Sequence, residues 1–169
     1  DKKVAYINQL LKVGFDTIDF GSFVSPKAIP QMSDTADVLA QLNLSETNSK
    51  LLAIIGNVRG AEDAVKHKQI TYLGFPFSIS ETFQQRNINS SITESVERVK
   101  EIKQLCDDNG KKLMIYISMG FGNPYGDPWS AEVAAEWVEK LVTMDIKYVS
   151  LADTIGVANP ESITYLFSH

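Results

Sequence analysis

Two runs in this chain set a carboxylate beside hydroxyls. The first is Asp19-Phe20-Gly21-Ser22-Phe23-Val24-Ser25-Pro26-Lys27-Ala28-Ile29-Pro30-Gln31-Met32, and the second is Ser150-Leu151-Ala152-Asp153-Thr154-Ile155-Gly156. In both, an apolar segment ends in an acid and a serine, the pattern of a strand that delivers polar groups to a rim. Partial burial makes a carboxylate's charge costly without a partner, so Asp19 could orient a catalytic arginine or relay a proton. Asp153 could accept a hydrogen bond from a metal-bound water or a substrate hydroxyl. Each acid also has a plainer reading, as a turn or helix cap over local backbone amides.

The elements that must position these groups follow from apolar periodicity. Residues 2–12 read as a helix with Val4, Ile7, Leu10 and Leu11 on one face, ended by Gly14. Phe15 to Phe20 reads as a strand, 34–42 as a helix started by Asp34, and Leu51 to Ile55 as an apolar strand. A short helix over 60–67 and a strand from Ile70 to Gly74 come next. The longest helix covers 92–108, with Ser91 and Glu94 at capping-box spacing and Ile92, Val96, Val99, Ile102 and Cys106 as its inner stripe. Leu113 to Ser118 is a strand. Asp127-Pro128 then opens a helix whose inner face is Ala131, Ala134, Ala135, Val138 and Val142. A strand at Ile146 to Leu151 and a helix opened by Asn159-Pro160 complete the order.

Strict alternation implies parallel strands joined by helical crossovers. A doubly wound sheet and a (β/α)8 barrel both accept it. Asp19, Ser22, Asn57, Ser78, Ser80, Ser118, Ser150, Asp153 and Thr154 all fall at or just past expected C-terminal strand ends. Polar groups on every strand suit a barrel mouth, whereas a doubly wound sheet gathers its ligand groups at one switch point. The expected architecture is therefore a partial (β/α)8 TIM barrel of about five parallel strands. It would lack the first and last strands and form a single domain over 1–169 with no internal boundary.

Composition excludes several classes of function. The 169 residues are 44% hydrophobic and 22% charged, with a net charge of −5 and no basic stripe, which argues against nucleic acid as a partner. No apolar run reaches the length of a membrane span. One cysteine, Cys106, excludes an internal disulfide framework and a cysteine-rich zinc site. His67 and His169 are too few for a multi-histidine metal site, and His67 between two lysines reads as a complement to a helix dipole. Gly120-Phe121-Gly122-Asn123-Pro124-Tyr125-Gly126 departs from phosphate-loop spacing and reads as a close-packed loop. Ser80 to Asn89 reads as a polar crossover that could hold a short helix or meet a large polar ligand portion such as a nucleotide. A cytoplasmic location is expected, or a mitochondrial one if the natural N-terminus lies upstream.

Taken together, Ser22-Phe23-Val24-Ser25-Pro26-Lys27 with Pro30-Gln31-Met32, Glu81, Phe83 and Asn87-Ile88-Asn89, Ser118…Gly122…Pro124-Tyr125, and Ser150…Asp153-Thr154-Ile155-Gly156-Val157 resemble the 3-hydroxy-3-methylglutaryl-CoA lyase family. The resemblance covers nearly the whole chain. It implies a TIM barrel that cleaves 3-hydroxy-3-methylglutaryl-CoA to acetyl-CoA and acetoacetate, as in leucine catabolism, by retro-Claisen chemistry with Mg²⁺ or Mn²⁺. On this resemblance Asp19 and Asp153 are catalytic, with Asp19 standing where the family has a glutamate. Ser22, Asn57, Ser80, Asn87, Tyr116, Ser118, Ser150 and Thr154 would bind substrate.

The family's adjacent Arg-Asp, its His-x-His metal pair and its catalytic cysteine have no counterparts among these residues, so no metal ligand is assigned. The chain reads as the central portion of such an enzyme. By itself it is expected to be inactive, and to self-associate through open sheet edges. A related acyl-CoA-condensing synthase and a non-catalytic partial-barrel interaction domain are the alternatives.

Overall fold

The computed structural model describes residues Lys2–Ser168. Five strands alternate with helices: α1 (Lys2–Leu11), β1 (Thr17–Phe23), α2 (Thr35–Leu39), β2 (Lys50–Ile55), α3 (Val58–Ala64), β3 (Ile70–Ser78), α4 (Glu81–Ile88), α5 (Ile92–Asp108), β4 (Lys112–Ser118), α6 (Ala131–Thr143), β5 (Tyr148–Leu151) and α7 (Pro160–Ser168). A 3₁₀ turn at Pro30–Met32 precedes α2. The strands follow one another in the sheet as β1-β2-β3-β4-β5. A doubly wound sheet must contain a reversal of strand order, and this one has none. Right-handed crossovers repeated without reversal are the winding of a barrel wall.

The chain resolves into two compact units. The first runs to Gly74 and takes in Gln104–Lys112; the second holds Phe75–Lys103 and the segment from Leu113 onward. In the first, β1 and β2 pair in parallel, with Ile18 beside Leu51 and Phe23 beside Ile55. Leu51, Leu52, Ala53 and Ile55 are almost fully buried, together with Val38 and Leu39 of α2 and Ala61 and Ala64 of α3. In the second, β4 and β5 pair from Met114–Tyr148 to Ile117–Leu151. Phe77, Ile115, Ile117 and Leu141 are buried there, and the Phe77 ring lies 5.1 Å from that of Trp137.

Several expected boundaries move, each for a packing reason. The first strand lies at Thr17–Phe23 instead of Phe15–Phe20, because residues 17–23 take their register from the apolar run of β2. A register irregularity between Asp19 and Gly21 absorbs one extra residue. Asp19 is consequently the third residue of its strand and exposed, away from the C-terminal end where the sequence put it. β3 continues past Gly74 through Phe75 and Phe77, both fully buried, to Ser78.

Helix boundaries shift in the same way. The short helix expected at 60–67 begins earlier, with Asn57 as its cap. α2 is shorter than the expected 34–42. Asp34 makes no side-chain cap there and pairs with Lys3 at 2.5 Å. α6 is capped by Ser130 rather than Asp127, Val142 is 58% exposed, and Leu141 fills the inner position. By contrast the capping box of α5 forms as read: Ser91 N donates to Glu94 Oε2 at 2.8 Å and Glu94 N to Ser91 Oγ at 3.1 Å.

Gly60 marks the tightest helix–strand approach in the first unit. A Cβ there would lie 2.2 Å from the carbonyl oxygen of Phe23. Gly60→Ala is therefore expected to destabilise the fold by roughly 1–3 kcal/mol through overpacking. Urea unfolding of the two proteins measures the difference, and equal midpoints would contradict the close approach.

Candidate functional site

In the first unit a cleft of about 430 Å³ opens beside the end of β1, lined by Ser22, Phe23, Asn57, Arg59, Lys66 and His67 among others. Ser22 is buried. Its amide donates to Thr35 Oγ1 at 3.2 Å, and Thr35 in turn donates to the Met32 carbonyl at 2.8 Å. Its own hydroxyl oxygen is buried with no hydrogen-bond partner. An unsatisfied buried hydroxyl costs about 1–3 kcal/mol, so it needs a reason to be there.

Other groups in the cleft already have partners. The Asn57 side chain accepts from Gly60 N at 2.9 Å, and Lys66 pairs with Asp63 at 2.7 Å. The His67 ring rests 5.2 Å from that of Phe23. Its place beyond the end of α3, against an aromatic ring in a cleft, is more specific than the dipole complement expected from sequence.

In the second unit the strand ends are laced by short polar side chains. Ser78 Oγ donates to the Ser118 carbonyl at 3.2 Å and accepts from Ser80 N at 3.0 Å. Ser80 caps α4 by accepting from Phe83 N at 3.2 Å, and donates to Asp127 Oδ2. Asp127 also accepts from the Thr82 amide and the Thr82 hydroxyl, each at 2.9 Å. Behind Ser78 a buried chain continues: Gln84 Oε1 accepts from Ser78 N at 2.8 Å, and Gln84 Nε2 donates to Ser95 Oγ.

At the ends of β4 and β5, Thr154 Oγ1 accepts from Met119 N at 2.7 Å, and Gly120 N donates to the Ala152 carbonyl at 3.2 Å. Met119 has φ +60°, a left-handed conformation costly for a side chain with a Cβ, and this clamp holds it. The Trp129 indole closes the loop onto the Gly120 carbonyl at 3.2 Å. Asn123 shapes the rest, accepting from the Tyr125 and Asp127 amides and donating to the Asp127 carbonyl. The glycine-containing run is thus a close-packed loop, as expected.

Asp153 bonds local backbone amides. Its carboxylate accepts from Val157 N at 2.9 Å and Ala158 N at 3.0 Å. Those amides, Ala158 first, hold its pKa below the usual carboxylate range. Ser80 first, then the Thr82 amide, do the same to Asp127.

The residues expected to bind substrate fall into small groups. Ser22 and Asn57 line one cleft. Tyr116 and Ser150 are register partners and share a sheet face. Ser80 and Ser118 meet through Ser78, while Thr154 neighbours Asp153 in sequence and grips Met119. Asn87 is exposed on α4, next to Arg86, whose guanidinium lies 4.8 Å from the centre of the Tyr125 ring. Sequence reasoning missed Thr35, Gln84 and the clasp of Asp127; their partners lie up to 47 residues away, and no local signal points to them. Among the described residues no group of three or more His, Cys, Asp or Glu could hold a metal ion. The described residues therefore do not by themselves complete a divalent-metal site.

The model of the HMGL-like family matches residues 1–169. The chain belongs to the HMGL-like family. It is 34% identical to the hydroxymethylglutaryl-CoA lyase of Bacillus subtilis over 96% of this chain and 54% of that protein. It is 37% identical to a 3-hydroxy-3-isohexenylglutaryl-CoA/hydroxymethylglutaryl-CoA lyase of Pseudomonas aeruginosa over 92% of this chain and 51% of that protein. The solved structure of an HMG-CoA lyase from Acinetobacter baumannii, in complex with coenzyme A and 3-methylmalate, superposes with a TM-score of 0.92 at 31% identity, over 100% of this chain and 54% of that one. The chain thus spans about half the length of the relatives it matches. Within this family the five parallel strands are part of a TIM barrel, which confirms the barrel reading over the doubly wound one.

Both depressed carboxylates carry a sign that can be checked. Their folded pKa lies below the unfolded one, near 3.9, so each stabilises the fold above that pH. The contribution is lost as pH falls through the lowered folded values. Carboxyl-detected NMR titration is expected to place the Asp127 and Asp153 midpoints below those of the acid-unfolded chain. A midpoint for Asp153 at or above the ordinary value would contradict its amide bonds.

Proposed function

We propose that the protein containing this chain cleaves 3-hydroxy-3-methylglutaryl-CoA to acetoacetate and acetyl-CoA. The observation that carries the reading is a likeness to lyases of that name running through 92–98% of the chain. In the reaction a base removes the C3 hydroxyl proton, and the electrons of the new alkoxide form the ketone of acetoacetate as the C2–C3 bond breaks. The pair from that bond leaves on the acetyl-CoA enolate, which is then protonated at carbon.

Asp153, kept anionic by its amides, supports an acceptor role toward the substrate hydroxyl rather than that of a strong base. The unpaired Ser22 hydroxyl supports donation to a substrate oxygen. Tyr116 and Ser150 would line the same face of the sheet. Thr154 would act through Met119, whose backbone it fixes. The role of Asp19 would be exercised from inside its strand. Mg²⁺ or Mn²⁺ is the metal proposed for the whole protein. Its ligand set would need residues other than those described.

The full-length protein is expected to release acetoacetate from 3-hydroxy-3-methylglutaryl-CoA, and the 1–169 polypeptide is expected to release none. Acetoacetate measured by coupled reduction tests both. A full-length protein that instead condensed acetyl-CoA with a keto acid would transfer the reading to a synthase. Ser22→Ala separates ligand binding from packing. Removing an unsatisfied hydroxyl should leave stability unchanged or raise it by about 1 kcal/mol. The same change should lower kcat/KM about tenfold.

A further inference from the structure

We propose that Asp127 is a positioning residue that fixes α4 for the polar, non-reacting part of the substrate. The inference rests on the lyase reading, since it takes Asn87 of α4 to meet that part. Asp127 lies outside the residues the sequence singled out for substrate or chemistry, yet it makes three bonds to the first turn of α4. These are from the Ser80 hydroxyl, the Thr82 amide and the Thr82 hydroxyl. The Ser80 hydroxyl is consumed twice, by Asp127 and by Phe83 N, and Ser80 is fully buried. It therefore shapes the helix start rather than touching ligand.

A second tie joins the same two segments further along, where the Arg86 guanidinium sits over the Tyr125 ring. Asn123 holds the loop that carries both Tyr125 and Asp127, bonding both of their amides. The loop after β4 and the whole length of α4 are thus fastened at both ends of the helix. Asn87 is the residue next to the second fastening and is exposed. Loosening the first fastening would let α4 shift without touching any reacting atom. Such a loss falls equally on ground and transition states, and therefore on KM.

The test uses the full-length enzyme. Asp127→Ala is expected to raise KM for 3-hydroxy-3-methylglutaryl-CoA about tenfold with kcat within about twofold, and Asp127→Asn, which keeps an acceptor for the Thr82 amide, to recover part of the loss. Hydrogen exchange at the Thr82 and Phe83 amides should accelerate in Asp127→Ala. If that variant fails to fold, Thr82→Val, which removes one of the three bonds, should still raise KM about threefold. A folded Asp127→Ala with unchanged KM, or a Thr82→Val with unchanged KM, overturns the positioning role. A wild-type protein that does not cleave the substrate overturns the functional reading instead.

Discussion

An amide that leaves a strand has lost its ladder partner and must find another acceptor, because a buried, unpaired N–H is costly. That constraint governs every turn that matters in this chain. The amides of Ser22 near the end of β1, of Gly60, Thr82 and Phe83 in the first turns of helices, and of Met119, Val157 and Ala158 in loops are each met by an oxygen of Thr35, Asn57, Asp127, Ser80, Thr154 or Asp153. Short side chains serve because they lose little rotamer entropy, whether the donor lies three to five residues away, as for Asn57, Ser80 and Asp153, or far along the chain, as for Thr35, Asp127 and Thr154.

The same constraint separates two kinds of polar residue that look alike in sequence. A serine or aspartate at a strand end can complete a turn or meet a ligand, and a group saturated by backbone bonds has less left for the second task. Ser80, Asn57 and Thr154 each give an oxygen to a backbone amide. Ser22 is the buried side chain among the described residues whose oxygen has been given nothing to bind. The fold tolerates that deficit beside an open cleft, where a ligand oxygen could remove it.

Much of the architecture was legible because it is written locally. α5 shows its stripe and its Ser91–Glu94 box, and α7 shows the Asn159 cap that accepts from Ser162 N at 2.8 Å. β2 and β4 show as apolar runs because both of their faces are covered. The strand ends misplaced at β1 and β3 share one cause. Gly21 inside β1, and Gly74 and Pro76 inside β3, read locally as breaks, but pairing and burial carried the strands through them. Asp127-Pro128 carries a helix-start signature, yet the carboxylate found better partners in Ser80 and Thr82. The site was legible as a set of residue types at strand ends. Which oxygens were already committed was not, because that depends on partners distant in sequence.

The indole contacts have a practical consequence. The chain has two tryptophans, Trp129 and Trp137. One bonds the Gly120 carbonyl and the other packs on Phe77 beneath Lys140, all within the second unit. Selectively excited tryptophan fluorescence therefore reports on the second unit, whereas far-ultraviolet dichroism sees both. Recording the two signals in one melt would reveal whether the halves of this polypeptide lose their order together or in succession.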